Sequence, residues 1–445
     1  MPHWLRINPW RFLLILGLVS VLALGAACGD DDDDDGGEPS ATDGGGSKEP
    51  LKIGALMSFT GALGTFGEPI YSGAQLAVDE INANGGVLGN DITLIRADDG
   101  TKPDQGVTEA QRLVDVEGVQ AIVGALASGV TVQVAETVTG PAQVLTISPA
   151  ATGPALSGAN DDDFLFRTTI SDAGQGLLLS QLANEQGYTN VCNLYVNSPY
   201  GEGLSNAFTA AFEEKGGTIA AEVPHEDGGA TYVTELGQCG DAETLAAISY
   251  PETANVYLRE AVESGQFSSY LFVDGTKQAK MFETLGYANF DGAVGTSPSS
   301  LPTGDANAGF IERYEAAYGP LPPTPYIKEA YDAVYLIALA AIAAGSTDGA
   351  DMQAALRDVA NAEGTEAGPG PEGFTAAVEA LEAGDDINYD GASGPFEFDE
   401  NGDPQVGAIE FWHVDAAAAT LVSDRVFQVD FDTGEVTDIT ELVLE

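Results

Sequence analysis

Basic side chains are scarce in this chain. There are 16 Lys and Arg in 445 residues against 69 Asp and Glu, a formal charge of −53. A surface of that sign repels nucleic acid and anionic lipid, so partners of those classes are excluded first. Histidine is nearly missing too. Beyond the N-terminal leader only His225 and His413 remain, far apart and outside any motif. No G-x-S-x-G elbow, H-E-x-x-H pair or Walker A loop occurs. Gly368, Gly370 and Gly373 spell G-x-G-x-x-G, but within a Gly/Pro/Glu stretch (361–373) that reads as a surface loop with no strand before it. Asp399, Asn401 and Asp403 have carboxylate spacing without the full twelve-residue calcium pattern, so a tight turn is the better reading. Neither an enzyme, a metal site nor a cofactor is expected.

Cysteine is the third scarcity, with three in all. Cys28 follows Arg6, Arg11, an apolar run over residues 12–24 and Gly25-Ala26-Ala27. A basic start, apolar middle and small-residue end make residues 1–28 a secretory signal, and a Cys directly after small residues is placed for lipid attachment. Leu24 stands four residues before Cys28 rather than the usual three. The apolar run is shorter than the roughly 20 residues that a membrane span needs. Residues 29–50 hold six successive aspartates (30–35), then Gly, Ser and Pro, and read as a disordered acidic linker. Removing residues 1–28 takes two arginines and no acid, leaving −55. Cys192 and Cys239 then form a lone pair, which in an exported protein suggests one disulfide, with two buried free thiols as the alternative.

What the chain does have is a repeating β and α rhythm. Residues 51–58 and 92–97 read as strands, each followed by a helix with one apolar face; the first has Pro69 near its start and stops at Asn84-Gly85-Gly86. Residues 119–152 organise the rest. Two short apolar strands, 120–124 and 144–148, end in hydroxyl-rich loops, and a helix starts at Ser128. Free N–H groups and the positive end of a helix dipole converge there, so Ser128 and Thr152 are expected to face a small anionic group such as a carboxylate. Further strands are expected at 191–196, 218–223, 245–249, 271–273 and 293–296, with strand-like pieces at 394–398, 408–414 and 425–431. Residues 326–344 form a long apolar helix whose Lys328, Glu329 and Asp332 mark it as core rather than membrane span. Alternation of this kind makes an α/β chain of doubly wound parallel sheets, and the strand number calls for two lobes.

Several motifs carry a resemblance: GALMSFTGALGTFG, GAQLAVDEINANGGVLG, VGALASGVT, ISPAAT, FRTTISDAGQG, YVNSPYGEGL and YDGASGPFEFDENGDP. From residue 51 onward the chain resembles the periplasmic branched-chain amino-acid-binding proteins, the solute receptors of ABC importers. The resemblance implies the type I fold, two lobes joined by three crossover strands near 166–169, 294–297 and 388–394. Lobe one would comprise 51–168 plus 297–388, and lobe two 169–296 plus 389–445. It further implies that Ser128, Ala150 and Thr152 hold a ligand α-carboxylate. Asp274, in LFVDGT, would pair with the ligand ammonium; many members carry Glu there. Phe66, Leu126, Tyr200, Tyr250 and Tyr326 would wall the side-chain pocket. The implied function is an exported, lipid-anchored, monomeric receptor that delivers a small amino acid to a membrane permease. Alternatives are a receptor for an amide, urea or other small polar solute, or a sensory module not coupled to transport.

Overall fold

A computed structural model describes residues 49–301, 306–361 and 363–443. The leader, Cys28 and all but the last two linker residues lie outside the described residues. Five parallel strands build the first sheet: β1 (Lys52–Met57), β2 (Thr93–Asp98), β3 (Ala121–Gly124), β4 (Leu145–Ser148) and β5 (Leu165–Arg167). Their order is β2-β1-β3-β4-β5, so the chain steps outward on both sides of β1. That reversal is the switch point at which open α/β sheets bind ligands.

The second sheet starts with β6 (Asn190–Val196), β7 (Thr218–His225), β8 (Thr244–Ile248), β9 (Ser269–Phe272) and β10 (Val294–Ser299). A two-stranded piece, β11 (Thr365–Ala367) with β12 (Ile387–Tyr389), precedes β13 (Val406–Asp415), β14 (Thr420–Asp430) and β15 (Val436–Asp438). The order is β15-β14-β13-β10-β9-β8-β6-β7. Pairing is parallel from β7 to β10, then antiparallel through β13, β14 and β15. The sheet is therefore mixed rather than wholly parallel. A four-residue turn joins β13 to β14, too short for a crossover, and forces the hairpin.

Three local expectations are corrected. The stretch 361–373 is not one loop: β11 lies within it, and a helix, Gly370–Ala383, starts before it ends. Pro371 suits a helix's first turn, and Phe374 and Ala377 behind it are buried. Residues 394–398 form isolated bridges rather than a strand. The first helix, Gly64–Ala83, begins inside the glycine-rich loop, so that Pro69 lies within it. Gly73 of this helix touches the helix Ile327–Ala344: a Cβ would stand 2.0 Å from the Ile327 carbonyl oxygen.

The helix Ile327–Ala344 is the axis of the first lobe's core, with Ala330 and Ala333 through Ala341 almost fully buried. Among the described residues no single helix is long and apolar enough to cross a membrane. Glu80 is buried beside this axis and accepts bonds from Arg313 Nε (2.8 Å), Tyr335 (3.0 Å) and Tyr331. Phe272, Phe282, Phe290 and Trp412 form the aromatic centre of the second lobe. Cys192 and Cys239 are joined by a disulfide, with S–S 2.03 Å.

Candidate functional site

The carboxyl ends of β3 and β4 meet the ends of β8 and β9 around one cavity. Its volume, counted to the open mouth, is about 330 Å3, and it is lined by Leu126, Ser128, Ala150, Tyr200, Tyr250 and Asp274 together with Leu63, Phe66, Ile70, Gly275 and Tyr326. Eight of the nine ligand-contact residues expected from the sequence therefore face the same space. Thr152 does not. It is buried, and its hydroxyl donates to Asp172 Oδ2 at 2.8 Å. Leu63, Ile70 and Gly275 complete the wall. Ile70 lay on the apolar face of a recognised helix, and Gly275 adjoins Asp274 in the same motif. Sequence showed the face of the helix but not which of its turns meets the cavity.

At one end, Ser128 opens a short helix, Ser128–Val134, which runs on through Ala135–Thr139 and Gly140–Ala142. Its Oγ accepts from Gly153 N–H at 3.0 Å, which ties the loop after β4 to the start of this helix. The Ser148 hydroxyl donates to the Ala125 carbonyl (2.6 Å) and accepts from Ala151 N–H (3.0 Å), fixing the ISPAAT turn against the loop after β3. The Ser128 hydroxyl and the positive end of the helix thus face the cavity together.

At the other end stands Asp274, just past β9 and only 3 % exposed. Its Oδ1 accepts from Tyr200 Oη at 2.8 Å and Gln175 Nε2 at 3.0 Å, and its Oδ2 from Tyr326 Oη at 2.6 Å. Burial raises the Asp274 carboxyl above the ordinary carboxylate range, and these donors pull it back. Asp172 lies one helical turn before Gln175. Burial, then the charge of Asp274, push it well above its ordinary value, and its Oδ1 has no hydrogen-bond partner among the described residues. Neither Asp172 nor Gln175 was singled out from the sequence, although both lie within FRTTISDAGQG; a buried second row around a site has no motif of its own.

Tyrosines close the sides. The rings of Tyr200 and Tyr250 stack at 5.4 Å between centroids with 12° between planes. Gly275 is required here, since a Cβ would stand 2.4 Å from the Ser249 carbonyl and 2.8 Å from Tyr200 Oη. Tyr326 was expected as the first residue of its helix. It sits instead just before it, at φ +76° in the left-handed region. That conformation costs a non-glycine residue roughly 1–2 kcal/mol. The strain is held at a residue whose hydroxyl meets Asp274.

An apolar, aromatic-walled space with a carboxylate at one end and the Ser128 hydroxyl with a helix start at the other suits a small molecule carrying both signs of charge. The family described as periplasmic binding protein matches residues 50–405. The Leu/Ile/Val-binding protein homolog 3 of Brucella melitensis biotype 1 is 29% identical over 313 residues, 69% of this chain and 83% of that protein. BasB of Halobacterium salinarum, a chemotactic signal transduction system substrate-binding protein, is 26% identical over 382 residues, 84% of this chain and 89% of its own. The crystal structure of the branched-chain amino acid transporter substrate-binding protein LivJ from Streptococcus pneumoniae, in complex with isoleucine, superposes with a TM-score of 0.69 at 23% identity, covering 88% of this chain and 100% of that one. The chain belongs to the periplasmic binding protein family and has its type I fold.

Proposed function

We propose that this protein is an extracytoplasmic receptor that binds a small amino acid, branched-chain or related, and presents it to the membrane subunits of an ABC importer. One observation carries the reading: Asp274, buried and held by two tyrosines and Gln175, shares an apolar cavity with Ser128. In this reading the ligand ammonium pairs with Asp274. Its carboxylate meets Ser128 and Ala150, while Thr152 holds the loop from behind through Asp172. Phe66, Leu126, Tyr200, Tyr250 and Tyr326 surround the ligand side chain. A dry cavity strengthens both polar contacts, and rigid aromatic walls give apolar area at little entropic cost. The lobes, 51–168 plus 297–388 and 169–296 plus 389–445, move about the crossovers near 166–169, 294–297 and 388–394. Residues 1–28 direct export, Cys28 carries the lipid, and residues 29–50 form the tether. Catalysis has no place in this reading.

A second reading, sensing rather than transport, is favoured by the likeness to the chemotactic receptor BasB along most of both chains. A third, a receptor for an amide or urea, keeps the cavity and drops the ammonium contact.

A thermal-shift screen against the twenty amino acids, small amides, urea and short polyols separates these ligand classes. Ligand at 100 times its dissociation constant adds about 2.7 kcal/mol, a rise on the order of a few degrees. The expected responders are leucine, isoleucine and valine. A rise with amides or urea alone would retire Asp274 as an ammonium partner. No rise with any of them, in protein refolded free of co-purified ligand, would overturn the receptor reading.

A further inference from the structure

The halves of the molecule built on the two sheets touch at more places than the cavity wall. Glu252 N–H, in the first turn of the helix Pro251–Ser264, donates to the Ala62 carbonyl at 3.4 Å. No side chain caps that helix start, so a carbonyl of the other half serves one of its free N–H groups. Tyr326 Oη likewise crosses from one half to the other, to Asp274. At two positions the halves approach so closely that a side chain has no room. Gly203 lies inside the helix Pro199–Glu214, about one turn after Tyr200 of the cavity wall. A Cβ at 203 would stand 2.6 Å from Pro154 Cδ, in the turn that follows β4, and the three atoms nearest to it all belong to Pro154. Gly129 directly follows Ser128. A Cβ there would stand 3.1 Å from Pro199 Cδ, with only Pro199 atoms within 4 Å among the described residues. Ordinary contact between carbons is about 3.5–4.0 Å, so alanine at 203 asks the halves to separate by roughly 1 Å. Neither glycine has a positive φ, so no backbone conformation calls for it. Glycine inside a helix weakens it relative to alanine. At 203 the approach of the other half accounts for the choice.

We propose that Gly203 and Gly129 are positioning residues: by keeping side chains out of the seam between the halves, they let the two shut on the ligand. Each is tied to a residue of the cavity wall, Gly203 to Tyr200 on the same helix and Gly129 to its neighbour Ser128. A seam propped open at 203 or 129 draws those two walls apart and admits water, which weakens every polar contact inside. The effect on affinity rests on the receptor reading; the closing contact itself does not.

Calorimetric titration with leucine, isoleucine and valine, and melting curves without ligand, test the affinity arm. Gly203→Ala should bind several-fold more weakly and Gly203→Val more than about tenfold, with Gly129→Ala, where the contact is looser, between wild type and Gly203→Ala. Without ligand, Gly203→Ala should melt no lower than wild type and up to about two degrees higher, since alanine is the better helix former. Weaker binding with an unweakened fold is what a residue of mere packing would not give. Wild-type affinity in Gly203→Val overturns the proposal, and so does a ligand-free Gly203→Ala that melts well below wild type. A second arm needs no ligand. Cysteines in the pair Ala62→Cys, Glu252→Cys are oxidised with copper phenanthroline, and the cross-linked peptide is followed by mass. The link should form with Gly203 present and about tenfold more slowly with Gly203→Val added. Equal rates, or no link with Gly203 present, overturn the proposal whatever the amino-acid screen gives. A slowed link in a protein that answers to no amino acid keeps the seam and retires the receptor reading.

Discussion

Two aspartates near the start of the helix Ile327–Ala344 are equally buried and differ in what holds them. Asp332, on the helix, accepts from Ala392 N–H (2.8 Å), Ser393 N–H (2.7 Å), Ser393 Oγ (2.5 Å) and Tyr389 Oη (2.8 Å). Asp274 is held chiefly by side chains, Tyr326, Tyr200 and Gln175, with the neighbouring Gly275 N–H the weakest of its donors. Burial raises both carboxyls, and hydrogen bonds pull both back. Backbone N–H groups are fixed by the chain, so Asp332 is welded to the turn after β12. Side-chain donors rotate, and those on Asp274 border a cavity where a ligand cation can join them. Burial alone does not separate a structural carboxylate from a binding one. The origin of its donors does.

Breaking each carboxylate should therefore break a different property. Asp332→Ala leaves two backbone amides and two hydroxyls without their acceptor, and is expected to lose about 3–5 kcal/mol in urea unfolding. Amino-acid affinity of the folded fraction should stay within about twofold, because no donor of the cavity is touched. A variant as stable as wild type would mean that those amides find other acceptors, and the contrast would lose its structural half.

Glu329 sharpens the contrast through pH. It lies one turn before Asp332, it is buried, and its carbonyl accepts from Thr168 Oγ1 at 2.9 Å. Its carboxyl is raised from 4.5 to about 7 by burial, so the native state keeps a proton that the unfolded chain has released. Stability from this group is full below pH 4.5, is lost as pH rises to about 7, and is flat beyond. Glu329→Gln should remove that loss, a gain of up to about 3 kcal/mol at pH 8 relative to pH 4. Unfolding at the two pH values measures it, and equal effects at both would place Glu329 in contact with water.

Asp274→Ala is the converse of Asp332→Ala. Amino-acid binding should weaken more than tenfold, about 1.4 kcal/mol or more, with the fold retained and a smaller loss of stability than in Asp332→Ala, because the freed Tyr200 and Tyr326 hydroxyls border a cavity. Calorimetric titration and a melting curve on the same sample decide it. In wild type, affinity should rise with pH through the raised Asp274 titration, because the ammonium pairs with the ionised form. Unchanged affinity in Asp274→Ala would leave two structural aspartates and no ammonium partner.

The contrast was half legible in the sequence. Short apolar strands ending in Ala127-Ser128-Gly129 and Ser148-Pro149-Ala150 placed one end of the cavity, because strand, loop and helix start are local patterns. Asp274 and the tyrosines came from motif likeness, and they converge here from four separate stretches that no periodicity connects. Asp332 looked like a helix-start charge; its four donors come from β12 and the turn that follows, some sixty residues on. The left-handed backbone of Tyr326 was illegible, since a tyrosine gives no sign of positive φ. The helix Gly370–Ala383 was hidden by the opposite fault, a Gly/Pro composition that reads as loop while Phe374 and Ala377 are buried.

The finest cut concerns Tyr326, whose ring is a wall and whose hydroxyl is a donor. Tyr326→Phe keeps the ring and removes the 2.6 Å bond to Asp274 Oδ2. If the hydroxyl serves only to fill space, nothing measurable changes. As a donor to the ionised carboxylate it lowers Asp274's titration, so its removal lets burial push the group higher still. Ionised Asp274 then becomes scarcer as pH falls. Affinity in Tyr326→Phe should match wild type within about twofold at the alkaline end, where Asp274 is ionised in both, and fall several-fold below it as pH is lowered, roughly 1 kcal/mol for one charge-assisted bond. The separation of the two pH curves is the measurement. Parallel curves would assign Tyr326 to packing and leave Tyr200 and Gln175 as the donors that matter.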